Sequence, residues 1–97
     1  MKVRLKSFFH FDVAKVFGSD QVEMPDHAAT LRAVLEEVAL RSGGAIEPVD
    51  RNSGMLEVDY FVLLNGYDSG SLAEGLETGL HDGDEVALGT NYHWGGG

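Results

Sequence analysis

The sequence predicts an α+β domain in which a small sheet is covered on one face by a single main helix. Three observations predict it. Period-two alternation of apolar and polar residues marks the first ten residues, the stretch around residue 60 and the approach to residue 90, as in half-buried strands. One segment, TLRAVLEEVALRSGG, carries its apolar residues at helical spacing instead. The order is strand, strand, helix, strand, short element, strand, with no internal repeat and no domain boundary, so 97 residues read as one domain.

From Lys2 to His10, Val3, Leu5 and Phe9 fall on one side of a strand and Lys2, Arg4 and Lys6 on the other. Asp12 to Gly18 is a connection whose Val13, Val16 and Phe17 predict a packed turn of helix. DQVEMP is a short second strand with Val22 and Met24 inward, ended by Pro25. Thr30 is positioned as an N-cap, its hydroxyl taking an orphan backbone N–H. Leu31, Val34, Leu35 and Val38 then form one buried stripe, with Glu36, Glu37 and Arg41 on the wet side. Gly43 and Gly44 supply the left-handed stop.

Ala45 to Met55 is polar and broken by Pro48 and Gly54, which predicts an exposed loop. LEVDYFVLLNG returns to strand, with Val58, Tyr60, Val62 and Leu64 on one face and a tight turn at Asn65-Gly66. SLAEGLETGL is short and glycine-broken, consistent with one helical turn around Leu72, Ala73 and Leu76. A turn at Asp82-Gly83 leads into a last strand with Val86 and Leu88 inward.

One helix covers one face only. If it covers Tyr60, Val62 and Leu64, then Phe8, Phe61 and Leu63 form apolar surface on the open face, and such a patch marks a partner site. Two alternatives stay open: the Ala45–Met55 loop folds over the patch, or the strand register is slipped by one residue.

Composition removes several classes of function. There is no cysteine, which excludes disulfides, thiolate metal sites and cysteine nucleophiles. A formal charge of −9 opposes binding to nucleic acid through phosphates. Four of the seven basic residues, Lys2, Arg4, Lys6 and Lys15, lie near the start, and the acidic remainder favours a basic partner surface. No apolar run reaches the roughly 20 residues that span a bilayer, and the N-terminus has no signal-type apolar block, so no membrane association and a cytoplasmic location are expected. His10, His27, His81 and His93 lack metal-ligand spacing, and DGDE at 82–85 lacks the length of a calcium loop, so no metal site is expected. No phosphate-binding glycine motif and no nucleophile elbow is present, so no cofactor bound by this chain is expected.

The tail remains. HWGGG closes the sequence with His93, Trp94 and three glycines, although glycine adds no packing and loses the most entropy when ordered. A carboxylate becomes a good electrophile only after a better leaving group is attached, and another enzyme must reach it through a narrow channel. Glycines, lacking Cβ, leave that approach open. Residues 91–97 extend at most about 25 Å, enough to enter a partner's active site. The expected organisation is a domain at 1–90 and a flexible tail at 91–97.

With these elements placed, PDHAATLRAVLEEV, then VLLNG, then GLHDGDEVAL, and finally the diglycine end resemble the MoaD/ThiS branch of the ubiquitin-like β-grasp family over essentially the whole chain. The resemblance implies a mixed sheet of four or five strands gripping one main helix, with the first and last strands adjacent and parallel. It implies that a ubiquitin-activating-type adenylyltransferase (MoeB/ThiF-like) uses ATP to adenylate Gly97, and that sulfur transfer then yields a thiocarboxylate. Gly97 would be the acyl and sulfur carrier, and Gly96 would give the open approach. Phe8, Phe61 and Leu63, with His93, Trp94 and Gly95, would meet partners. The chain would be a carrier and co-substrate, not an enzyme. Its length favours the MoaD type, the small subunit of molybdopterin synthase, whose large subunit would accept the sulfur. The tail departs from pattern: Tyr92, His93 and Trp94 stand where small and proline residues are usual. Sulfur delivery to thiamine, cysteine or tRNA thiolation, a protein-modifier role and an inert-tailed interaction module are the alternatives.

Overall fold

The computed structural model describes residues 1–7, 20–44 and 46–90. Residues 8–19, 45 and 91–97 lie outside that set, and with them the expectations for Phe8, for Phe9 and His10 at the end of the first strand, for the Asp12–Gly18 connection, and for the 91–97 tail with His93, Trp94, Gly95, Gly96 and Gly97.

Alternation in the sequence becomes alternation in burial. Strand β1 (Lys2–Ser7) buries Val3 and Leu5 and exposes Lys2, Arg4 and Lys6. Strand β2 (Gln21–Glu23) buries Val22 between two exposed polar residues. Pro25 ends the extended run, and a 3-10 turn over Asp26–Ala28 leads to the helix. Strand β3 (Tyr60–Leu64) buries Val62 and Leu64, and strand β5 (Glu85–Thr90) buries Val86 and Leu88 on the same side. Between them runs the two-residue β4 (Tyr67–Asp68).

The five strands form one sheet in the order β2-β1-β5-β3-β4. β1 and β5 are parallel neighbours, with Leu5 beside Val86, and every other pairing is antiparallel. The first and last strands thus lie side by side at the centre, as the resemblance implied. The expected mixed sheet has its larger strand number.

Helix α1 (Leu31–Arg41) packs its stripe of Leu31, Val34, Leu35 and Val38 onto this sheet, and all four are fully buried. They join Val3, Leu5, Val22, Val62, Leu64, Val86 and Leu88 in one core. The Thr30 hydroxyl accepts from the Ala33 N–H at 3.1 Å, satisfying a donor that the first helical turn leaves orphaned. At the other end Gly43 and Gly44 take φ of +65° and +89°, and the Gly44 N–H donates back to Ala39 O. Replacing Thr30 by alanine is expected to lower stability by about 1 kcal/mol, read as a lower melting temperature in circular dichroism with the far-ultraviolet spectrum unchanged.

Four details differ from the sequence reading. β3 begins at Tyr60, not near Val58: Val58 is 84% exposed, in a turn closed by Tyr60 N–H on Glu57 O. The turn at Asn65-Gly66 carries a return strand, β4, too short to leave an alternation signal. The glycine-broken segment holds two 3-10 turns, Ser69–Ser71 and Gly75–Glu77, with Leu72 and Leu76 packed against the core and Ala73 exposed. The loop after α1 is anchored: Ile46 and Pro48 are buried, and Val49 bridges to Leu56.

Asn65 explains how the lower end of the sheet is tied. Its φ of +50° is left-handed, a region asparagine tolerates better than most residues. Its side-chain oxygen accepts from Glu85 N–H at 2.9 Å, and its amide donates to Asp84 Oδ1 at 3.0 Å. Asp84 Oδ2 also accepts from His81 N–H. One residue thereby joins the β3–β4 turn to the entry of β5. The Met1 ammonium donates to Met24 O and to Asp26, and the Asp26 hydrogen bond raises its pKa above the usual amine value.

Candidate functional site

The strand register decides which residues share the face away from α1. Val62, Leu64, Val86 and Leu88 point at the helix, so Phe61, Leu63, Ala87 and Gly89 point the other way. On β1 the same logic turns Lys2, Arg4 and Lys6 outward. The register is as the alternation predicted, not slipped by one.

Nor does the long loop cover this face. It folds on the helix side, where an Arg32 guanidinium N–H donates to Gly54 O and Ile46 and Pro48 enter the core. Between the loop and α1 lies an open groove of about 410 Å³, with Leu35, Ala39, Leu40 and Val49 among its lining residues. Its two cations are already engaged, Arg32 by Glu77 and Arg51 by Glu47. No group of three His, Cys, Asp or Glu residues that could hold a metal occurs among the described residues, and no helix there is long and apolar enough to cross a membrane.

The open face has a definite chemical layout. Lys6 pairs with Ala87, Ala87 with Leu63, and Leu63 with Asp68, so one row across the sheet reads cation, apolar, apolar, anion. In the next row toward the tail, Phe61 stands opposite Gly89. In the row on the other side, Arg4 pairs with Glu85 and Gln21. Phe61 and Leu63, both half-buried, therefore sit toward the end of the sheet where β5 stops at Thr90, with the buried Ala87 between Lys6 and Leu63.

Gly89 has a specific reason to be glycine. A Cβ placed on it would fall far inside contact distance of Cζ, Cε1 and Cε2 of Phe61. The aromatic ring lies down over the β5 backbone, occupying the space a side chain there would take, as aromatic residues do beside strand glycines. Phe61 and Leu63 are half-buried, presenting an apolar surface close to the backbone. The sequence reading found Phe61 and Leu63 but missed Ala87 and Gly89. Their membership follows from cross-strand register, which alternation within one strand does not specify.

A five-stranded mixed sheet whose first and last strands run parallel at its centre and grip one helix defines a ubiquitin-like β-grasp fold. Comparison with solved structures agrees. The chain is similar to SAMP1 from Haloferax volcanii at 27% identity, covering 98% of this chain and 100% of that one with a TM-score of 0.70. It is similar to a putative molybdopterin converting factor, subunit 1, from Pyrococcus furiosus at 25% identity, covering 95% and 99%, with a TM-score of 0.66. It also resembles Mycobacterium tuberculosis CysO at 26% identity, covering 89% and 94%, with a TM-score of 0.63. No protein-family model and no curated sequence matches the chain. Over nearly its full length the chain is thus similar in fold to small ubiquitin-like proteins of the MoaD/ThiS type.

Proposed function

We propose that this protein carries sulfur on its C-terminal glycine and works as a co-substrate, not as an enzyme. A ubiquitin-activating-type adenylyltransferase docks on the open sheet face and takes up the tail. The Gly97 carboxylate attacks the α-phosphorus of ATP, pyrophosphate leaves, and an acyl-adenylate forms. A sulfur donor then displaces AMP to leave a thiocarboxylate. Gly95 and Gly96 let the channel walls approach the backbone, since neither carries a Cβ. His93 and Trp94 contact the channel mouth. ATP binds the partner; this chain supplies only the acyl group.

The observation that carries this reading is the placement of the half-buried Phe61 and Leu63 together on the sheet face away from α1, near the end of β5 at Thr90. A docked enzyme can hold those side chains and receive the tail at once, because the tail's reach of about 25 Å is of the order of an active-site depth. The favoured acceptor is the large subunit of molybdopterin synthase, supported by the likeness to the Pyrococcus converting-factor subunit. A second reading is a protein modifier whose adenylated Gly97 is passed to a target lysine. It is favoured by a solved neighbour described as small archaeal modifier protein 1, from Haloferax volcanii, at 28% identity. Both readings share the adenylation step and a cytoplasmic setting.

The test is ATP–pyrophosphate exchange by the cognate activating enzyme with this chain as the only adenylyl acceptor. Exchange dependent on the chain is the expected result. An enzyme that exchanges with its other carriers but not with this one sinks the proposal and leaves an interaction module. Lysine-linked tail adducts in a proteolytic digest distinguish the modifier reading.

A further inference from the structure

Helix α1 presents two stripes, and the core takes only one. Leu31, Val34, Leu35 and Val38 are buried, whereas Arg32, Glu36, Ala39 and Leu40 share an adjoining face at helical spacing. That second face is one wall of the groove of about 410 Å³, and the loop through Val49 and Asp50 is the other. The volume lies in the range of ligand clefts, roughly 300–1,000 Å³. Its apolar part is the half-buried Ala39 and Val49 together with Leu40, a large apolar residue left 75% exposed. We infer that this groove is a docking site for a basic segment of another protein, in which apolar side chains bracketed by lysine or arginine settle on Ala39, Leu40 and Val49. The inference goes beyond the carrier reading and does not depend on it, because the groove lies on the helix side of the sheet.

The charges around the groove select that occupant. Arg32 donates to Glu77 and to Gly54 O, and Arg51 lies 2.8 Å from Glu47, so both lining cations are occupied. Glu36 stands one helical turn from Arg32, a spacing at which the two could pair, but the guanidinium is drawn to the 3-10 turn and the loop instead. On the loop wall, the Asn52 N–H and the Ser53 hydroxyl donate to Asp50 and hold its carboxyl below the ordinary value. Glu36 and Asp50 therefore face the groove, one from each wall, with no ion pair to a cation among the described residues. An acidic segment or a free phosphate would meet both carboxylates unfavourably, whereas lysine or arginine would complete them. Charges at such a rim orient a partner and speed its encounter more than they add affinity, and the apolar contact beneath supplies the hold. The exposed Arg51–Glu47 pair contributes little to stability, so an incoming cation can share Glu47 as well.

The experiment titrates the isotope-labelled full chain with a blocked Lys-Leu-Leu-Lys peptide and follows the backbone amides by NMR. Saturable shifts are expected at Glu36, Ala39, Leu40, Val49 and Asp50, with a Kd on the order of 1 mM, and none at Phe61 or Leu63 on the other side of the sheet. Leu40→Gln keeps a good helix former at an exposed position and should weaken binding about tenfold, through loss of the central apolar contact. Glu36→Gln should weaken it about threefold and flatten its dependence on salt. A blocked Glu-Leu-Leu-Glu peptide should leave the groove amides unmoved. Absence of groove shifts with the basic peptide, or an equal response to the acidic one, overturns the inference. Shifts scattered over other acidic residues such as Asp82 and Glu85, and indifferent to Leu40→Gln, mean general attraction to an acidic chain and overturn it too. Groove shifts that grow with protein concentration in the absence of peptide assign the groove to a second copy of this chain and overturn the basic occupant. Pyrophosphate exchange tests the carrier reading separately, so the failure of either leaves the other standing.

Discussion

Removing Gly97 is expected to leave the fold intact and to cut adenylation about a hundredfold or more, even though the shortened chain still ends on two glycines. The reason is reach, not chemistry. One residue of extended chain spans roughly 3.3–3.6 Å, whereas attack on phosphorus requires the reacting atoms within about 3–3.5 Å of each other, and a misplacement near 1 Å costs about a hundredfold. With the sheet face held by the enzyme, the carboxylate of Gly96 stops one residue short. Among the described residues the core cluster ends at Leu88, and thermal melting of the shortened chain is expected to match the full-length one. Comparing both chains in ATP–pyrophosphate exchange reads the effect directly. Full activity from the shortened chain would mean that the tail is not held in a fixed register, and the carrier mechanism would lose its geometric basis.

Leu35→Ala is the substitution expected to cost most in stability. Leu35 is fully buried in the middle of α1, among the residues of the single core. Alanine favours helix more than leucine does, so the helix itself loses nothing. The loss is the transfer of the isobutyl group plus the cavity left behind, together about 2–5 kcal/mol. For a chain of this size each kcal/mol shifts the melting temperature by roughly 4–8 °C, so a fall of about 10 °C or more is expected in a calorimetric scan. The sheet face is on the far side of the core from α1. At temperatures where the variant remains folded, its exchange activity should therefore match that of the unaltered chain. A small change in melting temperature would mean that the site collapses onto the missing volume more fully than close-packed cores allow.

The parts of this fold legible in the sequence are those written by local repetition. The α1 stripe, the Thr30 cap and the Gly43–Gly44 stop all lie within a few residues of one another, and the structure places each as expected. The alternation of Val3 with Leu5 and of Val62 with Leu64 likewise fixes which side of each strand meets the helix. Val58 shows where that signal fails. It continues the period-two pattern, but β3 begins only at Tyr60, the residue paired with Thr90, and the backbone just before it closes a turn from Glu57 to Tyr60. β4 is two residues long, and no alternation fits in two residues.

The candidate site divides the same way. Phe61 and Leu63 were visible because they are apolar residues on the wrong side of an alternating strand. Ala87 and Gly89 were not, because small residues on an outward face carry no signal until the β3–β5 register brings them under larger ones. Asn65 was read as a turn former, which it is, but its grip on Glu85 and Asp84 spans about twenty residues and depends on the folded sheet. The charged row through Lys6 and Asp68 is equally non-local, joining strands from opposite halves of the chain.

The most direct measurement is the intact mass of the protein isolated from cells that contain its activating enzyme, with fragmentation to locate any change. The carrier account predicts a fraction of chains in which one oxygen of the Gly97 carboxylate is replaced by sulfur, and none in cells lacking the activating enzyme. A terminus found only as the plain carboxylate, under conditions where other carriers in the same cells are thiolated, would contradict it.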